Sequence, residues 1–264
     1  MQNGTSRRAF ARAIAALGTA TILTWTAGAA TAIAETGIER SGQTTTPAVY
    51  IRYLSSPKFA NDEAAARTLS EFKGLSAAGK EKYLDYLNDP KVLEALILAT
   101  SEAEPGSDPA AAPTARATAV EESTSSFNGD VVVVAEQEAT FTPDAAAGAQ
   151  ARGKLSRGTW ETKYSHSQKI LGVTVTRLSV WVNYYTNGSK ITRVNFAECG
   201  KRNFNAAVAI SSSVPKHWLD GSYANGSVVW EGSIIYKGFG VSIDKRQQVW
   251  ANESGFRGGY LKNL

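Results

Sequence analysis

The stretch LSVWVNYYTNGSKITRVNFAEC, residues 178–199, decides the fold class of this chain. Before the Asn187-Gly188 pair, large apolar residues recur at every second position, and a second alternating run follows it. A period of two indicates a strand with one buried face, and an Asn-Gly pair between two such runs is a strong hairpin signal. We therefore predict an antiparallel hairpin. The residues assigned to its core face are Leu178, Val180, Val182 and Tyr184.

Similar strand signals continue on both sides of this hairpin. They cover residues 130–141, 160–166, 204–211, 227–236, 241–250 and 256–261. Turn residues separate these runs at short intervals, which is typical of antiparallel all-β domains. The sequence thus predicts an all-β main domain, an antiparallel β-sandwich or barrel, over residues 128–264.

The region before this domain has a helical pattern. Residues 58–102 carry apolar side chains at helical spacing, and either Asn61 or Asp62, then Ser76 and Asp89, stand where N-caps are needed. We expect a small α-helical segment there. Residues 35–57 are polar and predict a flexible start, and residues 103–127, rich in Pro and Ala, predict a disordered linker.

The first 34 residues have the pattern of a bacterial export signal. Arginines precede an apolar stretch over residues 13–34 that ends in a small-x-small triplet. The paired arginines followed by an aromatic residue resemble a twin-arginine signal. The residues that carry this pattern are Arg7, Arg8, Phe10, Ala32 and Ala34. We expect cleavage near Ala34 and a secreted, extracellular protein; a retained membrane anchor is the alternative.

Composition and charge exclude several classes of site. One Cys and two His exclude an internal disulfide framework and a metal centre built on cysteines or three histidines, so we expect no metal and no cofactor. Residues 35–126 hold 9 Lys and Arg against 14 Asp and Glu, whereas residues 152–264 hold 16 against 6. A basic β domain with an acidic helical part indicates either an anionic partner or compensation within the chain.

Catalytic signals are weak. His217 and Asp220 lie in a predicted loop, and Cys199 precedes Gly200-Lys201-Arg202, where cations favour a thiolate. The other histidine, His166, shares the strand face of buried aromatic residues and is predicted to be structural. We find no nucleophile elbow and no carboxylate pair singled out by spacing.

Binding signals come from aromatic and basic residues. Trp181 and Tyr185 share the strand face opposite the predicted core, where aromatic rings can stack on sugars or bases. A candidate cationic patch consists of Lys201, Arg202, Lys245, Arg246 and Arg257. Since neighbouring strand residues point to opposite faces, only one member of each adjacent pair can contribute to one surface.

The overall organisation resembles that of secreted actinobacterial proteins whose function is uncharacterised. The shared features are an Ala/Thr-rich signal, a small helical part, a linker and a C-terminal β domain, and residues 235–241 and 259–263 are the most distinctive stretches. This resemblance implies no activity and no catalytic residues.

Three functional hypotheses follow. The first is a secreted, non-enzymatic binding module for an anionic or carbohydrate cell-surface polymer. The second is an antimicrobial or toxin-like effector whose acidic helical part is a pro-region, and the third is a secreted hydrolase. Nucleic acid is a less favoured partner, and contact with a membrane is expected only through the signal during export.

Overall fold

The computed structural model describes residues 46–98, 101–103, 116–144, 157–236 and 239–264. In these ranges, short α-helices precede the strands. They are α1 Pro47–Leu54, α2 Glu63–Gly74, α3 Ala77–Leu87 and α4 Pro90–Leu98. The side chains of Thr46, Asp62 and Ser76 accept hydrogen bonds from N–H groups in the first turns of α1, α2 and α3. These caps satisfy donors that a helix leaves unpaired at its start.

Helix α1 corrects the prediction of a flexible start over residues 35–57. Thr46 caps the helix, Pro47 occupies its first position, and Tyr50 and Leu54 lie buried one turn apart. In the sequence, the pair Thr46-Pro47 indicates the start of this helix, because Thr can cap a helix and Pro suits its first position. Residues 35–45 lie outside the described residues, as do the predicted signal residues Arg7, Arg8, Phe10, Ala32 and Ala34.

The strands follow in chain order. They are β1 Ser101–Ala103, β2 Arg116–Ser126, β3 Val131–Pro143, β4 Gly158–Ile170, β5 Val173–Thr186, β6 Ile191–Asn203, β7 Val208–Ser212, β8 Lys216–Asp220, β9 Tyr223–Tyr236, β10 Phe239–Asn252 and β11 Gly255–Asn263. One antiparallel sheet has the order β2-β3-β4-β5-β6. The other has the order β1-β11-β10-β9-β7, and β8 also pairs with β9. This architecture confirms an all-β domain preceded by small helices.

Strand β2 corrects part of the predicted linker. Residues 116–126 pair antiparallel with β3, from Arg116 opposite Thr140 to Ser126 opposite Val131. An edge strand is held by backbone hydrogen bonds, which do not require large apolar side chains, so composition alone does not reveal it. Residues 104–115 of that predicted linker lie outside the described residues.

The two sheets pack face to face around one apolar cluster. The predicted core face of β5 is confirmed, since its four residues are at most 4 % exposed. They meet Trp230 and Val249 from the six-stranded sheet. Gln247 joins the layers, because its Nε2 donates to the carbonyl of Tyr164 at 3.0 Å and its Oε1 accepts from Trp230 Nε1 at 2.8 Å.

The turn between β5 and β6 is longer than the two-residue hairpin that an Asn-Gly pair predicts. Thr186 pairs with Ile191, so residues 187–190 form the turn. Asn187 Oδ1 accepts from the backbone N–H groups of Ser189 and Lys190, and Gly188 has a φ of +88°. Glycine is the residue that adopts this left-handed conformation at least cost.

The helices cover the end of the five-stranded sheet and share a core with it. Tyr50, Phe72 and Tyr83 pack with Ile170 and Phe204 in one cluster. The hydroxyl groups of Tyr50 and Tyr83 lie 2.7 Å apart, and Gln168 Nε2 donates to the carbonyl of Val92 at 2.8 Å. Helices and sheets therefore belong to one compact unit.

Candidate anion-binding cleft

A cleft of about 1030 Å³ opens where the helices meet the sandwich. One wall is α1 with the 3₁₀ turn Pro57–Phe59, and the other is the end of β6 with the start of β7. Asn203 shapes the second wall, because its Nδ2 donates to the carbonyls of Asn205 and Val208 and its Oδ1 accepts from the N–H of Asn205. This network holds the chain in a tight connection between the two strands.

Aromatic rings form the base of the cleft. Phe59 packs edge-on against both Tyr53 and Phe204, with ring centroids 5.2 and 5.6 Å apart. Phe204 is 2 % exposed, whereas Tyr53 and Phe59 are half-buried. Burial raises the pKa of the Tyr53 hydroxyl, so this hydroxyl remains protonated at neutral pH. The base therefore offers neutral rings and no competing negative charge.

Exposed cations line the rim of the cleft. They are Arg52, Lys58, Lys201 and Arg202. The Lys58 ammonium lies 5.1 Å from the centroid of the Phe59 ring, and Lys201 Nζ donates to the carbonyl of Ile210. Within the described part of the chain, none of these cations forms an ion pair.

Asp62 is the one acidic residue among those lining the cleft. Its Oδ1 accepts from the N–H groups of Ala64 and Ala65 at 2.8 and 3.2 Å, which caps α2. The excess of positive charge around a partly enclosed cleft raises the local concentration of anions. The arrangement suits a ligand with several negative groups and an apolar portion.

The structure separates the residues predicted to form one cationic patch. Lys201 and Arg202 both line the cleft, which corrects the expectation that only one of this adjacent pair could contribute to a surface; they lie close to the end of β6, where the chain turns towards β7. Lys245 is 6 % exposed and points into the sandwich, whereas the next residue, Arg246, is exposed on the outer face of the six-stranded sheet. Arg257 lies at the β10–β11 irregularity at the other end of that sheet. Strand alternation separates Lys245 from Arg246, and the register places Arg257 far along the strand.

The predicted Trp181–Tyr185 surface is only partly open. Both residues lie on the outer face of the five-stranded sheet, as the alternation predicts. The Tyr185 hydroxyl donates to Asp144 Oδ2 at 2.5 Å, and the Arg193 guanidinium lies 5.2 Å from its ring centroid. The face of the Tyr185 ring is thus already in contact with a cation, and the Trp181 ring lies over Gly200.

The catalytic candidates do not form a constellation. His217 and Asp220 lie on β8, which corrects the predicted loop, and both are exposed. Cys199 lies opposite Val180 and packs against the sandwich core. No side-chain hydrogen bond links these three residues, all of which the structure describes. Within the described residues, no group of three His, Cys, Asp or Glu side chains is placed to hold a metal ion.

His166 is structural, as its strand face predicts. It is 1 % exposed, and its ring lies edge-on to Tyr164 with centroids 5.0 Å apart. Burial lowers its pKa to about 3, and the positive charge of Lys245 acts in the same direction. Burial also lowers the pKa of Lys245 to about 8. Both groups face the interior of the sandwich, away from the cleft.

Sequence reasoning missed half of the cleft. Arg52, Tyr53, Lys58 and Phe59 fall in the predicted flexible start or at its boundary with the helical segment. Tyr50 and Tyr53 lie three positions apart, a spacing that indicates a helix. The contact of this helix with β6, however, depends on tertiary packing.

No helix within the described residues is long and apolar enough to cross a membrane. No family model matches this chain, and no curated protein and no solved structure matches it at a significant level.

Proposed function

We propose that the protein is a secreted, non-enzymatic module that binds an anionic cell-surface polymer in the basic cleft. The observation that carries this proposal is the ring of unpaired cations, Arg52, Lys58, Lys201 and Arg202, above an aromatic base. A polymer with repeated anionic groups can neutralise several of these charges at once, and its apolar backbone atoms can contact Phe59. Binding of this kind weakens as added salt screens the charges.

The two alternatives receive less support. A cleavable helical pro-region requires helices that separate from the β domain, whereas Phe72 and Tyr83 share a core with Ile170 and Phe204. A hydrolase requires a nucleophile or base held by a partner, whereas His217 and Asp220 stand exposed on an edge strand.

The test uses the full-length chain with two probes across a salt series. Soluble polyphosphate reports on charge alone, and bacterial cell walls are compared before and after removal of their anionic polymers. We expect retention at low salt, loss at high salt and loss from the depleted walls. The double variant Arg52→Gln/Arg202→Gln is expected to bind about tenfold more weakly and with a smaller salt dependence, since each lost contact is worth roughly 0.5–1 kcal/mol.

Lys190→Gln provides the matched control, because Lys190 is an exposed cation on the β5–β6 turn, outside the cleft lining. This variant is expected to bind like the parent chain. Absence of retention at low salt, or an equal loss in the control and the cleft variant, contradicts the proposal.

A further inference from the structure

A second hollow, of about 380 Å³, lies on the outer face of the six-stranded sheet. Strands β8, β9 and β10 run side by side there, and their register sorts the side chains into rows. One row contains Trp218 opposite Asn225, and Asn225 opposite Trp250. The next contains Lys216 opposite Ser227, and Ser227 opposite Gln248. Ser227 is small and 9 % exposed, so it forms part of the recessed base of the hollow.

The first row contains two tryptophans, of which Trp218 lines the hollow. Trp218 is 37 % exposed on β8. Trp250 lies flat against the sheet over Gly258, since a Cβ at position 258 would overlap its indole ring. The Trp250 indole therefore lies over β11, beyond the hollow, and Trp218 is the ring that lines it. An exposed aromatic ring suits the apolar face of a sugar ring.

The second row presents a prepared set of polar groups. Gln248 Nε2 donates to Asn225 Oδ1 at 3.1 Å, and Gln248 Oε1 accepts from the Tyr260 hydroxyl at 2.8 Å. These bonds fix the carboxamide while its second N–H and second lone pair stay available. The oriented carboxamide of Gln248, close to the Trp218 ring, can therefore donate to one sugar hydroxyl and accept from the next.

The charge of the hollow selects the class of sugar. Lys216 and Arg246 are exposed at its rim, and none of the residues that line it is acidic. Neither cation forms an ion pair with another described residue. An uncharged glycan would leave these two cations without a partner, whereas a sugar bearing a carboxylate would engage them.

We propose that this hollow binds an acidic polysaccharide, with a sugar ring stacked on Trp218 and the acidic group held by Lys216 and Arg246. The site is separate from the basic cleft and does not depend on the function proposed for it. Gln248 would position the sugar by hydrogen bonds to its hydroxyl groups.

The test titrates the full-length chain with polygalacturonate, with uncharged dextran and with polyphosphate. Calorimetry measures the affinity, and tryptophan fluorescence reports on contact of the sugar with the Trp218 ring. We expect binding of polygalacturonate and none of dextran. Trp218→Ala is expected to weaken polygalacturonate binding about tenfold, a loss typical of removing one stacking ring, and to leave polyphosphate binding unchanged. Arg246→Gln is expected to weaken it and to reduce its salt dependence.

Leu219→Ala is the matched control, since Leu219 neighbours Trp218 on β8, is 45 % exposed and points to the opposite face. It is expected to bind polygalacturonate like the parent chain. Absence of polygalacturonate binding, equal binding of dextran, or full binding by Trp218→Ala would overturn the proposal. A change in sedimenting mass in Trp218→Ala would overturn it too, since that result assigns the face to a second copy of this chain. Because the cleft also attracts polyanions, the titrations are repeated in the Arg52→Gln/Arg202→Gln background, where loss of polygalacturonate binding on Trp218→Ala reports on the hollow alone, so failure of one site is distinguishable from failure of the other.

Discussion

Two titratable side chains occupy the interior of the sandwich without serving either candidate site. His166 and Lys245 are 1 % and 6 % exposed, on facing sheets. Burial disfavours the charged form of each group, so both pKa values lie below their usual range. Burying these two groups lowers the free energy of unfolding, and the loss depends on pH because each group titrates.

We predict that His166 makes the protein sensitive to acid. Its pKa is about 3 in the folded chain, whereas it is about 6.5 in an unfolded chain. Between these values the unfolded state binds a proton that the folded state does not, so the free energy of unfolding falls as the pH decreases. Urea unfolding from pH 7 to pH 4 is expected to show a loss of a few kcal/mol attributable to this group.

The control for this prediction is His166→Gln, which keeps a polar side chain and removes the titration. It is expected to flatten the pH dependence between pH 6.5 and 4. An unchanged slope in this variant would assign the acid sensitivity to other groups.

Strand register decides what each sheet presents to solvent. The pairing of β9 with β8 and β10 places Trp218, Asn225 and Trp250 in one row. The glycine at position 258 lets the Trp250 ring lie flat against the sheet.

The bulge in β5 changes which residues of that strand face the interior. Gln168 pairs with Thr176 but Lys169 pairs with Thr174, so the alternation changes phase at Val175. Val175 then faces the helices while Val180 faces the other sheet.

We predict that Gly258→Ala destabilises the β10–β11 pair. The new methyl group would overlap the Trp250 indole, and displacing a packed ring typically costs about 1–3 kcal/mol. Denaturant unfolding measures the cost. In a Trp250→Ala background the same change is expected to cost much less, because the overlap no longer exists.

Gly74→Ala is the matched control, since a Cβ at that position meets nothing within 4 Å. It is expected to leave the midpoint of unfolding nearly unchanged. Equal costs of Gly258→Ala in both backgrounds would show that the indole does not rest on this glycine.

The helical segment and the β-sandwich share one hydrophobic core. Their joint core runs from Tyr50 and Leu87 to Phe204, and Asn205 Nδ2 donates to the carbonyl of Leu87 at 3.1 Å. The cleft exists only because this packing holds α1 beside the end of β6. The opposite charges of the two parts therefore act within one folded unit.

We predict that a helical core substitution destabilises the whole unit. Leu87 is 1 % exposed, and removing a buried leucine side chain costs about 2–5 kcal/mol. Tryptophan fluorescence of the described chain reports on the sandwich, because Trp160, Trp230 and Trp250 all lie in it. Leu87→Ala is expected to lower the midpoint seen by this fluorescence and by circular dichroism equally, whereas the exposed Glu81→Ala on the same helix is expected to change neither. Separate transitions for the two signals would contradict one cooperative unit.

Local pattern in the sequence determined most of the strands but not β2 or β8, and it determined the capped helices α2 and α3, the core face of β5 and the buried place of His166. These features depend on neighbours within a few residues, through side-chain alternation, capping hydrogen bonds and turn propensity. The pattern also separated Lys245 from Arg246, since adjacent strand residues point to opposite faces.

Only the tertiary structure decided which surfaces those elements assemble. Arg52 and Lys58 meet Lys201 and Arg202 although more than half of the described chain's length separates them in sequence, and no local pattern relates positions so far apart. The row of Lys216, Ser227 and Gln248 likewise depends on the register of three strands, which long-range packing selects. The edge strand β2, poor in large apolar residues, became visible only through its backbone pairing with β3. Both candidate sites therefore arise from contacts between distant segments, because a binding surface requires groups from several elements that the folded core brings together.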